Sequence, residues 1–189
     1  GTSPGVPRLW TDGLVETSGN QPGSVTQSPG FLEEDAVTDH DTQMYRIRSY
    51  GGIANVIMRG RERPRILEFG CGAALMFPYV RNRADYIGLD GNPDFVQSNI
   101  LLKGGERHFL QVDLRQPVRL SNWEGPVKAD LICSFEVLEH IPEEYAGTVI
   151  DSMRAHAHPR TRVYLTVSLK HRLMDDGHVT VKSRPWWTA

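Results

Sequence analysis

From Pro64 onward, short and nearly continuous apolar runs alternate with stretches of helical spacing, and this alternation restricts the fold more than any other feature of the chain. Runs over 65–69 (RILEF), 85–90 (DYIGLD), 108–112 (HFLQV), 129–134 (ADLICS) and 162–168 (RVYLTVS) read as strands. Helices are expected over 74–82, 93–103 and 143–157. Asn92 and Pro93 supply a cap and a proline at the first helical position, and Pro142 opens the third helix in the same way. A strand that is apolar at successive positions has to be covered on both faces, and helical crossovers return the chain to the same end of the sheet. The fold class that follows is α/β, with a doubly wound, mostly parallel sheet between helices.

Upstream, Thr38 caps an expected helix with Asp41 three residues on; Met44, Ile47, Gly51, Ala54 and Met58 follow at helical spacing, and Gly60 stops it. Residues 1–30 are rich in Gly, Ser, Thr and Pro and hold too few apolar side chains to offset their own ordering entropy. They read as an arm that is flexible or drapes over the domain through Trp10, Leu14 and Phe31, leaving 31–189 as a single domain. The connection over 114–128, with Pro117, Gly125 and Pro126, is expected to be irregular.

The bulk composition excludes several classes. A chain of 189 residues that is 39% hydrophobic holds one full core. Its net charge of −2 offers no electrostatic reason for a nucleic-acid or anionic-membrane partner, and Glu62 interrupts the local cluster of Arg59, Arg61, Arg63 and Arg65. Two cysteines, both in strand or strand-end segments, suggest reduced thiols and a cytoplasmic setting. No run approaches the roughly 18 apolar residues that span a bilayer, and the opening "GTSPGVPRLW" has no apolar signal region.

The run "ILEFGCGAALMF" places Gly70 and Gly72 where the first parallel strand turns into a helix. In an open parallel sheet, ligands bind beyond the carboxyl ends of the strands where strand order reverses, and glycine lets the backbone approach them closely. A tight turn without a ligand is the alternative. Asp90 ends the second strand, where a carboxylate can accept from both ribose hydroxyls, and Asp113 follows the third at the same edge. Together these residues read as a nucleoside site. Leu75 stands where a dinucleotide site needs its third glycine, and Glu68 would repel a pyrophosphate but suit an ammonium. The site therefore points away from NAD and towards S-adenosylmethionine.

At these motifs the stretch from Arg65 to Leu169 resembles the class I S-adenosylmethionine-dependent methyltransferases of the small-molecule branch. "EFGCGAA" is similar to the family's first motif, with Ala74 where a further glycine is usual; "YIGLDGNPDFV" and "LQVDL" resemble the second and third, and "ADLICSFEVLEHIP" the fourth-strand signature. The resemblance implies a Rossmann-like sheet and assigns roles. Gly70, Cys71 and Gly72 would line the cofactor's methionine and ribose, and Glu68 would meet its amino group directly or through water. Asp90, followed by Gly91, would bind the ribose. Asp113 would bond the adenine amino group, with the main chain at Val112 and Leu114 flanking the ring. Phe135 and Glu136 would border the transferable methyl. Cys71 reads as a small filler rather than a nucleophile, and Cys133 as core.

"SFEVLEH" lacks the proline-rich segment that receives a flipped base, so a small metabolite or sugar-like acceptor is favoured over DNA or RNA. A hydroxyl acceptor would gain from a general base, for which His140 and then His178 are the candidates. Their alternatives are a structural hydrogen bond beside Pro142 and a solvated loop; Glu139 is given no chemistry. Adjacent Asp175 and Asp176 cannot readily chelate one ion, so no metal is expected. After the fifth strand the family usually adds a helix and an antiparallel strand pair, which this chain lacks. It is therefore either a piece of a longer protein or a minimal version whose open edge is covered by the N-terminal arm, a second copy or another partner. A non-catalytic S-adenosylmethionine-binding module and, more remotely, an NAD-dependent oxidoreductase are the competing functions.

Overall fold

Alternate residues of each strand pack to opposite sides: Ile66, Tyr86, Phe109, Leu131, Cys133 and Phe135 to one cluster, Leu67, Phe69, Ile87, Leu89 and Ile132 to the other. The structure, a computed structural model, describes residues 10–11, 15–16, 50–103, 107–122, 124–169 and 177–188. Its main sheet comprises β2 (Arg65–Phe69), β3 (Asp85–Asp90), β4 (Phe109–Gln111), β7 (Leu131–Phe135) and β8 (Arg162–Thr166). They lie in the order β4-β3-β2-β7-β8, and every pair is parallel. Strand order reverses between β2 and β7.

Helices cover both faces, as a doubly apolar sheet requires. The first face packs against α1 (50–57 among the described residues), α2 (Phe77–Val80) and α3 (Pro93–Lys103), through Ala54, Ile57, Phe77, Val80 and Val96. The second packs against α4 (Ala146–Ala155) through Val149 and Met153. The part of the expected first helix before residue 50 lies outside the described residues. The helix expected over 74–82 shrinks to α2, because Ala74 adopts φ +47°, a left-handed conformation no α-helix can carry. The helix expected over 143–157 begins as a 3₁₀ turn, Glu143–Tyr145, before α4.

The connection expected to be irregular holds a hairpin instead, β5 (Leu120–Asn122) with β6 (Gly125–Pro126), and β1 (Val15–Glu16) pairs antiparallel with β5. Side chains from α4 hold the approach to this hairpin. The Val118 N–H donates to Ser152 Oγ at 3.0 Å, and the Leu120 N–H to His156 Nε2 at 3.0 Å. His156 in turn donates from Nδ1 to the Ser152 carbonyl at 2.7 Å, and burial lowers its basicity, so the ring remains a neutral acceptor. Trp10 is only 4% exposed against this second cluster, with its carbonyl accepting from Asn122 Nδ2 at 2.6 Å. The Arg65 guanidinium lies 5.8 Å from its ring centroid.

The described part of the arm therefore runs along the hairpin and not along the open edge of the main sheet. That edge is β8, where Val163 and Leu165 are about half exposed and no antiparallel partner occurs among the described residues. Leu14 and Phe31 lie outside the described residues. No described helix is long and apolar enough to cross a membrane.

The seat of Trp10 has a measurable consequence. Trp10→Ala is expected to lower the urea-unfolding free energy by about 3 kcal/mol through the cavity it leaves. A change within about 0.5 kcal/mol, as for an exposed residue, would show that the arm contributes no packing.

Candidate active site

The loop leaving β2 runs into the place where strand order reverses, and two glycines make that possible for different reasons. Gly70 has φ +72°, and a Cβ there would lie 2.4 Å from Val137 Cγ2, in the loop that leaves β7. Only a hydrogen fits between the two loops. Gly72, at φ +48°, is the opposite case, with nothing within 4 Å of where a side chain would begin. Its Cα opens onto free space at the rim.

The loop is braced from every side. Gly70 and Cys71 donate their N–H groups to the Leu89 carbonyl at 2.7 and 2.9 Å. Asp90 accepts the Gly72 N–H on Oδ2 at 2.7 Å and the Asn92 N–H on Oδ1 at 2.8 Å. From α3, Asn99 Nδ2 donates to the Gly72 carbonyl at 2.7 Å, and Lys103 Nζ donates to the carbonyls of Ala73 and Ala74. Sequence reasoning missed Asn99 and Lys103. Their one signal in the sequence is the pairing of an amide and an amine four residues apart, one helical turn, on the helix that follows Asp90.

Beneath the loop lies Glu68, 2% exposed, accepting on Oε2 from the Tyr86 hydroxyl. Gly88, which sequence reasoning also passed over, makes the room: a Cβ there would sit 2.9 Å from both Cys71 Sγ and Tyr86 Oη. Burial, then the nearby Glu68 and Asp90 charges, push the Cys71 thiol well above its usual value, which leaves it an inert filler under the loop. Strand alternation turns Glu68 to the side of Ile66, so it faces the first cluster and not the open rim.

The remaining rim residues come from β3, β4 and β7. Gly91 follows Asp90, and the Val112 N–H donates to the Asp90 carbonyl at 2.9 Å. Val112 and Leu114 send their side chains into the second cluster and leave their main chain at the edge. Asp113 is gripped by Arg115, whose Nη2 lies 2.8 Å from Oδ2 and Nε 2.9 Å from Oδ1; this holds the carboxyl below its ordinary range. Phe135 packs edge-on against Tyr50 of α1, with centroids 5.6 Å apart. Glu136 has an exposed side chain and φ +54°, with its N–H donating to the Thr166 carbonyl at 3.0 Å. A non-glycine residue in this region stores strain, and such strain clusters at ligand sites.

His140 ends a 3₁₀ turn, Leu138–His140, just beyond β7, and the fold brings His178 to it with ring centroids 4.7 Å apart. The Val179 and Thr180 N–H groups donate to the Glu139 carbonyl at 2.8 and 2.9 Å, and Thr180 Oγ1 to the Ile141 carbonyl at 2.7 Å. Glu139, His140 and His178 each offer one ligand atom, all within 4.8 Å of one another. Asp175 and Asp176 lie outside the described residues.

Residues 41–188 match the family model of a methyltransferase domain. The chain belongs to that family. Among solved structures, the S-adenosylmethionine-bound amino pentose methyltransferase CalS10 of Micromonospora echinaspora is similar at 18% identity and TM-score 0.53, covering 72% of this chain and 59% of its own. DesVI of Streptomyces venezuelae gives 18% and 0.52 with 69% and 58% covered. YcgJ of Bacillus subtilis gives 18% and 0.56 with 75% and 65%. These likenesses establish a common fold, and this chain spans less than two thirds of each of those proteins. A comparison with curated protein sequences finds no match.

Within this methyltransferase domain, the acid under the loop sets a pH response. Burial raises the Glu68 carboxyl from 4.5 to about 7, opposed by the Tyr86 hydrogen bond, reinforced by the Asp90 charge and opposed again by Lys103. Burial raises Asp90 too, against its two backbone donors. A raised carboxyl means that the folded state binds a proton the unfolded chain has released. This contribution to stability is full below pH 4.5 and is lost as pH rises through about 7. The unfolding free energy should therefore fall between about pH 4.5 and 7 by on the order of 3 kcal/mol. Glu68→Gln should flatten that fall, leaving only the slope of the same sign from Asp90; an unchanged profile would remove Glu68 as its source. Gly70→Ala should cost more than about 2 kcal/mol, from the left-handed φ and the Val137 overlap together. In a Val137→Ala background the same substitution should cost less, which a double-mutant cycle reads directly.

Proposed function

We propose that this methyltransferase domain binds S-adenosylmethionine across the carboxyl ends of β2, β3 and β4 and passes its methyl group to a small metabolite or sugar-like acceptor. The observation that carries the reading is the pairing of Asp90 with the Gly72 loop. Each Asp90 oxygen has two lone-pair sites and uses one on a backbone N–H. A second site on each remains for a ribose hydroxyl beside the open space at Gly72. The donor set therefore fits a nucleoside that carries no phosphate.

On this reading the main chain of Gly70, Cys71 and Gly72 holds the ribose and methionine part, and Asp90 with Gly91 the sugar. Asp113, positioned by Arg115, takes the adenine amino group, with the main chain at Val112 and Leu114 along the ring. Phe135 and Glu136 border the methyl. Glu68 lies beneath the loop, and an ammonium bound above it would favour its ionised form against the protonated form that burial favours. When bound, the cofactor supplies a methyl group on a positively charged sulfur. The chain's own part is to hold the acceptor atom at about 3–3.5 Å from that methyl and to exclude water. His140 and His178 are the groups that handle the acceptor. The Nδ1–H of His140 is spent on the Gly177 carbonyl at 3.1 Å, which leaves Nε2 as its working atom.

The net charge of −2 and the absence of a base-receiving proline segment after β7 support a small acceptor over nucleic acid. Burial of both thiols, Cys71 and Cys133, supports a cytoplasmic setting. Calorimetry should show S-adenosylhomocysteine binding and no NAD binding. Asp90→Ala, checked for folding by circular dichroism, should weaken the former by about 1–3 kcal/mol. Unchanged affinity would overturn the ribose assignment, and NAD binding would overturn the cofactor.

A further inference from the structure

Glu139 is 0% exposed, and its two oxygens are treated differently. Oε1 accepts the Ser168 N–H at 2.9 Å, while Oε2 is buried with no hydrogen-bond partner among the described residues. An unpaired buried carboxylate oxygen is among the costliest groups a fold can contain. Its neighbour Glu136 adds a second negative charge close enough to act on it. Beside this carboxylate stand two imidazoles, with one Glu139 oxygen and one ring nitrogen each of His140 and His178 within 4.8 Å of one another. His140 directs its Nδ1–H to the Gly177 carbonyl, the arrangement that orients a metal-binding imidazole and turns Nε2 towards the ion. His178 is carried by a segment strapped to the main chain of Glu139 and Ile141 through Val179 and Thr180.

We propose that Glu139, His140 and His178 bind one divalent transition-metal cation, through Glu139 Oε2, His140 Nε2 and a ring nitrogen of His178, leaving the other coordination positions to water or an acceptor oxygen. One oxygen of Glu139 and one ring nitrogen of each histidine already lie within 4.8 Å of one another, and a metal at about 2.1 Å from each ligand would draw such atoms to roughly 3.0–3.5 Å. Two nitrogens and one carboxylate suit zinc, iron, cobalt or manganese better than calcium or magnesium, which prefer oxygen ligands. Three protein ligands leave an open site, as in metal centres that bind a reactant, whereas purely structural zinc is usually closed by four. The expectation of no metal came from the adjacent Asp175 and Asp176, whose geometry bears on a different set of residues. The cation's service to an acceptor rests on the methyltransferase reading, in which case the imidazoles act on the acceptor through the ion. Its binding does not rest on that reading.

The test uses the full chain without a polyhistidine tag, stripped with a chelator and titrated with Co²⁺ and then Zn²⁺. One Co²⁺ per chain should bind with visible d–d absorption, Zn²⁺ should bleach that absorption by displacement, and the ion should raise the melting temperature. His178→Ala, which removes a partly exposed ring, and Glu139→Gln should each weaken uptake by about tenfold or more and abolish the absorption. Failure of the wild-type chain to take up more ion than His178→Ala would overturn the inference. S-adenosylhomocysteine calorimetry on the same samples separates the two readings. Nucleoside binding without ion uptake sinks the metal site alone, and ion uptake without nucleoside binding sinks the methyltransferase reading alone.

Discussion

Gly70 presses against Val137 where the strand order reverses, and the placement of the polar groups at the rim follows from that contact. Adjacent parallel strands β2 and β7 send their following loops past each other, and only a hydrogen at position 70 lets them touch. The turn that results aims two successive N–H groups at the Leu89 carbonyl and a third at Asp90. Asp90 thereby becomes a brace between the β2 loop and the start of α3 as well as an acceptor at the edge. Asn99 and Lys103 close the loop's remaining carbonyls from the other side. The loop meets its conformational cost during folding, which is what preorganisation for a ligand requires.

The same region concentrates charge where the fold is driest. Glu68, Asp90 and Cys71 share the space beneath the loop, and burial disfavours the charged form of each. Around Glu139 the pattern repeats, with a buried carboxylate beside Glu136 and two imidazoles. Neither arrangement is the best choice for stability alone. Both are carried by a sheet whose two faces are filled with large apolar side chains, and perturbed acids set in such a frame are candidates for sites of chemistry.

Much of the frame was legible in the chain. The five strands of the main sheet are legible to within a few residues of their observed ends, because each carries a short, mostly apolar run bounded by polar or turn residues. Asp90 and Asp113 were placed at one rim because consecutive parallel strands must end side by side. The helix over 74–82 was overextended because alanine favours helix wherever its neighbours allow it, and nothing local signals that Ala74 is left-handed. The hairpin after β4 was hidden by Pro117, Gly125 and Pro126. Its main chain is satisfied by Ser152, His156 and the arm, none of them near it in sequence.

The order and type of the elements and the glycine loop are properties of residues within a few positions of one another, and the parallel sheet follows from the alternation of those elements. Period, caps and turn chemistry are written at that range, so the sequence alone determined them. The orientation of Glu68 towards Tyr86, the seat of Trp10 on the hairpin and the meeting of His178 with Glu139 and His140 join segments far apart in the chain. No local pattern encodes such contacts. They arise when apolar layers pack to one arrangement and carry attached polar groups with them, so only the tertiary structure could decide which acids and imidazoles came to share a site.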